Sequence, residues 1–197
     1  QGRPGWHIEC SAMSTKYLGN HFDIHTGGVD NIFPHHENEI AQSQGDKKKK
    51  FVNYWLHCEH LIVENQKMSK SLGNFYTLRD LLDKGFDPLA IRYTLLTSHY
   101  RRKLNFTFDK VKDSRKNIIK LRDFYNSLDD SIASENSDLL DLVADVDNQF
   151  MHSLDDDLNI SGALGSLFTL VREVNNYRED NQLKKKDAEK IKEFVEK

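Results

Sequence analysis

Lys67-Met68-Ser69-Lys70-Ser71, followed by Leu72-Gly73-Asn74, sets two lysines three positions apart among small polar residues. Such a loop can bring two ammonium groups onto a polyphosphate, each acting as a mobile point charge. Ser69 and Ser71 add hydroxyl donors, and Gly73 gives the loop freedom to close. Charge that develops as pyrophosphate departs would be met by those ammonium groups in the transition state. A bare K-x-x-K carries no such meaning.

A second constellation is Cys10 with His35 and Glu39. In a helix, positions four apart share a face with Cβ atoms about 5–6 Å apart, so His35 and Glu39 can point at one cation. A thiolate from Cys10 would reach in from another loop. Zinc accepts sulfur, nitrogen and oxygen ligands in a tetrahedron. The spacing leaves blander readings open: free cysteine is among the most buried residue types, and His and Glu four apart often form only a surface pair. A rival cluster is His57-Cys58-Glu59-His60. On a strand, alternation puts Cys58 and His60 on one face and His57 on the other, which does not complete a site.

The elements that must position these residues can be read in outline. His21–His25 is a short apolar alternation that stops at Gly27-Gly28, a strand. Pro34 can open a helix through His35, Glu39 and Ala41 to about Gly45, since proline is tolerated in a first turn. Tyr54–Val63, rich in aromatic and branched residues, reads as a second strand. Strand, glycine turn, helix, strand is the order of an α/β nucleotide-binding layer.

From Thr77 onward the pattern is helical. Thr77 caps a helix Leu78–Lys84 stopped by Gly85, and Asp87-Pro88 opens another through Ile91, Leu95 and Leu96. Three apolar stripes follow, carried by Val111, Ile118, Leu121 and Tyr125, by residues 139–154, and by residues 164–174 with Ser161 as N-cap. They are the core-facing sides of a helical bundle. The run Lys47–Lys50 reads as a solvated loop.

The chain's 197 residues hold 38% hydrophobic and 30% charged residues, the mix of a globular protein with a well-charged surface. No apolar run approaches the roughly 20 residues that span a bilayer, and no secretory h-region is present. Two cysteines cannot build a disulfide framework, which suits a reducing compartment. A formal net charge of −3 argues against a dedicated nucleic-acid binder, though not against an enzyme that touches RNA locally. Gln1 as first residue and Lys197 ending a helix-like pattern suggest an incomplete chain.

The full string Lys67–Ser71 with Leu72-Gly73-Asn74 resembles the second signature loop of class I aminoacyl-tRNA synthetases. Gly5 to Met13, then Phe22-Asp23-Ile24-His25, Gly27-Gly28, Asp30 and Phe33 to Glu39 closely resemble cysteinyl-tRNA synthetases, as do Asp156-Asp157 and Asn159. The resemblance is dense through Tyr100 and looser afterwards.

That resemblance implies the second half of a class I synthetase Rossmann-like nucleotide-binding domain, with an all-α helical bundle after it. Residues 1–75 would carry the zinc site and lysine loop, 76–110 would contact the acceptor stem, and 111–197 would form a truncated bundle. Cys10, His35 and Glu39 fall on three of the family's four zinc ligands. The fourth is a cysteine in a preceding half that also carries the H-I-G-H loop. In that family the zinc binds the substrate thiol directly. Zinc prefers soft thiolate and lowers a thiol's pKa, so serine cannot match cysteine and separate editing is unnecessary.

Lys70 corresponds to the ATP-contacting lysine, with Lys67 as its partner. Gly27, Gly28 and Asp30 lie where the family holds adenosine; close backbone approach explains the glycines, and a carboxylate suits ribose hydroxyls. Trp6 and His25 fall in the amino-acid pocket, with ordinary packing as the alternative for both. Glu59 departs from the small residue expected there.

The implied activity is cysteine–tRNA ligation. Cysteine and ATP with Mg²⁺ would give cysteinyl-adenylate, and the cysteinyl group would pass to tRNA(Cys). The protein would be cytoplasmic, without a membrane partner, and monomeric in full-length form. The segment alone, without the H-I-G-H half and an anticodon-binding domain, would be inactive. Two rivals share parts of this pattern: a ligase that joins cysteine to an amino-sugar, and a non-catalytic synthetase-like binding module.

Overall fold

The computed structural model describes residues 2, 4–45, 49–129, 131–132, 137–180 and 182–197. Half of the lysine run, Lys47 and Lys48, lies outside them. The backbone packs as two compact units, Gln1–Ile62 with Tyr100–Leu104, and Val63–His99 with Asn105–Lys197.

The first unit is built on a βαβ crossover. Strand β1 (Phe22–Gly28) and strand β2 (Val52–Cys58) pair in parallel, from Phe22 opposite Val52 to Gly28 opposite Cys58. Parallel strands need a long connection, here a 3-10 turn at Val29–Asn31, a π-helical turn at Ile32–His36 and helix α2 (Glu37–Gln44). Helix α1 (Trp6–Leu18) lies against α2, where Ser11 Oγ donates to Gln42 Oε1 at 2.8 Å. Phe51 and Val52 are the buried floor of this layer.

Three expectations for this unit are corrected. Cys10 sits on helix α1, not on a loop. The sequence hides that helix because Trp6, Ile8, Met13, Tyr17 and Leu18 are all exposed and make no single apolar stripe. Pro34 does not open a regular α-helix: Phe33 before it is extended (φ −135, ψ 133), and α-helical winding begins at Glu37. The residue preceding a proline is disfavoured in the helical region, which accounts for the offset. The second strand ends at Cys58 instead of running to Val63. Beyond it Glu59 donates its N–H to the Tyr100 carbonyl at 2.8 Å, and Leu61–Val63 forms a separate strand β3.

The second unit begins with a three-stranded sheet in the order β4 (Gln66–Lys67), β3, β5 (Leu104–Phe106); the chain passes between the units within β3 and β5. Thr77 caps helix α3 (Leu78–Asp83) in a reciprocal capping box with Asp80. Gly85 follows at φ +83, a left-handed stop that suits glycine. Asp87 caps α4 (Pro88–Leu96) by accepting the Leu89 and Ala90 amides. Thr107 caps α5 (Phe108–Ser127).

Helices α6 (Leu140–Asp155), α7 (Ile160–Glu179) and α8 (Lys185–Glu196) complete the bundle. Phe124, Leu128, Leu139, Val143, Val146, Leu170, Val171, Val174, Leu183 and Ile191 form its core. The stripes at Val111, Val143, Val146, Val171 and Val174 are buried as expected. Phe124, Leu128 and Leu170, outside the expected stripes, are buried as well. Asn159, not Ser161, caps α7, accepting the Gly162 amide; Ser161 instead donates to the Thr97 carbonyl. Helix α8 agrees with the helix-like pattern that runs to Lys197, and Ala188 and Ile191 form its buried stripe. Among the described residues no helix is long and apolar enough to cross a membrane.

Candidate functional site

Glu39 is the centre of the first unit's chemistry. It sits on α2, its side chain is fully buried, and its two oxygens face different imidazoles. Oε2 is 2.7 Å from His25 Nε2, on β1. Oε1 is 2.8 Å from His35 Nε2, one turn earlier in the chain, yet it has no aligned hydrogen-bond partner. With no aligned donor, Oε1 keeps a lone pair that a cation could take.

Cys10 completes the group. Its sulfur, a His35 nitrogen and a Glu39 oxygen all lie within 4.8 Å of one another. A tetrahedral ion with bonds of about 2.0–2.3 Å spaces its ligand atoms about 3.3–3.6 Å apart, so only small movements close the shell. Sulfur, imidazole and carboxylate are zinc's donor set, and the buried orphan oxygen leaves a place for a positive charge. Burial, and then the carboxylates of Glu39 and Glu9, push the Cys10 thiol above its ordinary range, partly offset by the Trp6 indole N–H. A cation at this point reverses that preference, because a coordinating thiol is deprotonated outright.

Trp6, one turn before Cys10 on α1, places its ring 4.1 Å from that of His35 and remains largely exposed. His25 stacks on Trp55 with ring centroids 4.7 Å apart, as their opposed positions in the parallel register require. The structure thus brings Trp6, Cys10, His25, His35 and Glu39 together. An overlapping donor group, His25 with His36 and Glu39, shares the same carboxylate.

Sequence reasoning gave His36 no role and weighed His57 only within the rival cluster His57–His60. His36 is buried beside His35, and its Nδ1 lies 2.7 Å from His57 Nε2. Burial, with His25, His57 and His35 around it, pushes His36 down to about 4. Burial also lowers His57, with His25 and Arg101 acting in the same direction. Both shifts favour the neutral rings, and a hydrogen bond between those nitrogens needs one of the two to carry the proton. The available signal was strand alternation, which puts His57 on the same side of β2 as Trp55; their rings are stacked, 2° from parallel.

Gly27 and Gly28 end β1, and Asp30 follows in an exposed turn with His60 Nε2 3.9 Å away. A Cβ on Gly27 would lie 2.6 Å from His36 Cε1, so the glycine makes room for the buried histidine. His57, Cys58, Glu59 and His60 do not converge; among the described residues the only metal-capable groups are the two that contain Glu39.

Lys67 and Lys70 belong to the second unit and are exposed. Their loop is closed on itself by Asn74, whose Oδ1 accepts the Ser69 amide at 2.8 Å and whose Nδ2 donates to the Lys67 carbonyl at 3.1 Å. Ser69 Oγ and Ser71 Oγ are 3.0 Å apart, and Gly73 takes φ +68. The Lys70 ammonium lies 5.5 Å from the Phe75 ring centroid, within cation–π range.

The family model of tRNA synthetases class I (C) catalytic domain matches residues 1–116, more than half of the chain. The chain belongs to the class I (C) tRNA synthetase family. A DALR domain model matches residues 149–197. Among relatives of this synthetase chain, a cysteine–tRNA ligase of Brachyspira hyodysenteriae is 58% identical, covering 100% of this chain and 42% of that protein. A cysteine–tRNA ligase of Protochlamydia amoebophila is 52% identical over 96% of this chain and 40% of its own length. The chain therefore spans about two fifths of the curated relatives it matches. A LeuRS of Agrobacterium radiobacter, solved in a ternary complex with tRNA and LeuAMS, shares the fold with TM-score 0.68 at 16% identity, covering 88% of this chain and 25% of that one.

Proposed function

We propose that this chain supplies the second half of the catalytic core of a cysteine–tRNA ligase, which activates cysteine with ATP and Mg²⁺ and transfers it to tRNA(Cys). The observation that carries the reading is the convergence of Cys10, His35 and a fully buried Glu39 with an unpartnered oxygen. These residues would hold Zn²⁺. When bound, the ion supplies a soft acceptor for a substrate thiolate, a bond that a hydroxyl cannot equal. Trp6 and His25 would wall the amino-acid pocket, and His25 also steadies Glu39 through its 2.7 Å contact.

Gly27, Gly28 and Asp30 would receive the adenosine of ATP, with the exposed Asp30 carboxylate suited to ribose hydroxyls. Lys67 and Lys70 would neutralise the phosphates, and most strongly the charge that builds as pyrophosphate leaves. Residues 1–75 would thus form the catalytic part, 76–110 the stem-contacting part and 111–197 the bundle beyond it. The working enzyme would be a cytoplasmic monomer.

Identity to cysteine–tRNA ligases over the whole chain favours tRNA over an amino-sugar as acceptor. The same identity, with both lysines and all three candidate ligands in place, weighs against a non-catalytic module. The test is cysteine-dependent ATP–pyrophosphate exchange by a full-length protein carrying this chain, with metal analysis of the purified enzyme. Expected are exchange with cysteine, exchange with serine lower by orders of magnitude, and about one zinc per chain. Absence of cysteine-dependent exchange, or equal exchange with serine, would refute the reading.

A further inference from the structure

The lysine loop has two feet, and both stand on residues 105–108, where β5 gives way to α5. The leading foot is the turn Glu64-Asn65 between β3 and β4, immediately before Lys67. Glu64 has φ 48 and Asn65 has φ 63, so both central residues are left-handed, as in a type I′ turn. That turn favours Asn-Gly or Asp-Gly; a glutamate in its first central place is unfavourable unless something holds it.

Side chains from β5 and α5 hold it. The Asn65 amide donates to Asn105 Oδ1 at 2.9 Å, and Asn105 Nδ2 donates back to Asn65 Oδ1 at 2.8 Å. Glu64 donates its own N–H to the Phe106 carbonyl at 3.1 Å. Its carboxylate accepts the Phe108 N–H at 3.3 Å, the first amide of the 20-residue helix α5, where a negative charge is favoured. Lys110 Nζ, one turn along, bonds the Asn105 carbonyl at 3.0 Å.

The trailing foot is Tyr76, two residues after Asn74. Its ring lies 5.3 Å from that of Phe108, which also stacks on Phe86 at 5.1 Å. Phe108 therefore touches one foot through its backbone N–H and the other through its ring. Between the feet, residues 67–74 bond to one another through Asn74 and the serines.

We propose that Asn105 and Phe108 are positioning residues for the lysine loop: they pin its two feet to the junction of β5 and α5 and so set where Lys67 and Lys70 can reach. The proposal rests on the reading of those lysines as phosphate contacts. Neither Asn105 nor Phe108 need touch a substrate.

The test uses a full-length protein carrying this chain, with Asn105→Ala, Asn65→Ala and Asn65→Asp. Asp at 65 keeps the backbone donor and the side-chain acceptor and tolerates the left-handed backbone, so it is the conservative control. Expected is a fall of about tenfold in kcat for cysteine-dependent ATP–pyrophosphate exchange in Asn65→Ala, the weight of one net hydrogen bond, and at least as large a fall in Asn105→Ala, which loses two. KM for cysteine should stay within about twofold, and Asn65→Asp should restore kcat. In parallel, amide hydrogen exchange of residues 66–74 in the substrate-free protein should speed up in Asn105→Ala while the core helices keep their protection.

Unchanged exchange protection of 66–74 in Asn105→Ala would overturn the proposal whatever the activity. So would a kcat loss that Asn65→Asp fails to restore, or a rise in KM for cysteine alone. A wild-type protein without cysteine-dependent exchange would sink the functional reading instead, and the hydrogen-exchange result would still decide the anchoring.

Discussion

Replacing Glu39 with glutamine should be less favourable to stability with zinc present than without it. Glutamine has the same shape, so the packing around this fully buried side chain is kept. What goes is the charge. Without metal, the carboxylate sits out of water with Oε1 unpartnered, a state that costs about 1–3 kcal/mol. Glu39→Gln should therefore leave the metal-free protein as stable as wild type or raise it by up to that amount.

With metal the balance moves against the variant. Free zinc at about 1,000 times Kd stabilises the wild type by about 4.1 kcal/mol. Outer-shell changes alone cost about 10–100-fold in metal affinity, so losing a direct ligand should cost at least about 100-fold. At the same zinc concentration the variant would gain only about 1.4 kcal/mol. The gap, about 2.7 kcal/mol, corresponds to about 5–11 °C in Tm for a chain of this size. Thermal unfolding of both proteins, with chelator and with excess zinc, measures it. An equal effect of the substitution under both conditions would refute the argument that Glu39 is held for a cation.

Lys70→Ala should leave Tm unchanged, because the side chain is exposed on a loop, while cysteine-dependent pyrophosphate exchange by the full-length protein falls about 10²–10³-fold. Gly27→Ala should destabilise by about 1–3 kcal/mol, because the new Cβ meets His36 Cε1 at 2.6 Å; chemical denaturation measures the loss, and imidazole NMR signals report the displaced His36. Leu170→Ala, at a fully buried position of the bundle core, should cost about 2–5 kcal/mol and lower the denaturant midpoint of the bundle. Retention of the wild-type midpoint would mean that α7 does not pack as described.

The caps and turns were written locally, and so could be read locally. Thr77 with Asp80, Asp87 with Pro88, and Gly85 act on amides or φ angles within three residues of themselves. The bundle stripes were legible for the same reason, since a 3.6-residue repeat needs no knowledge of the partner helix. The lysine loop was legible as a string of residues. Helix α1 was not: its apolar residues are exposed, so no buried face marked the helix that carries Cys10. Helix α8 was legible only as a helix-like pattern ending at Lys197, without its bounds.

Chemistry that depends on distance came from the fold. One helical turn separates His35 from Glu39, but Cys10 and His25 reach the same carboxylate only because the parallel register of β1 and β2 and the packing of α1 on α2 bring them there. The neutral pairing of His36 with His57, and the grip of Asn105 and Phe108 on both feet of the loop, join residues 21 to 44 positions apart. Side-chain types and near-neighbour spacing name the possible ligands and charges; burial and long-range register select which of them meet, because both are sums over contacts that no short stretch of chain contains.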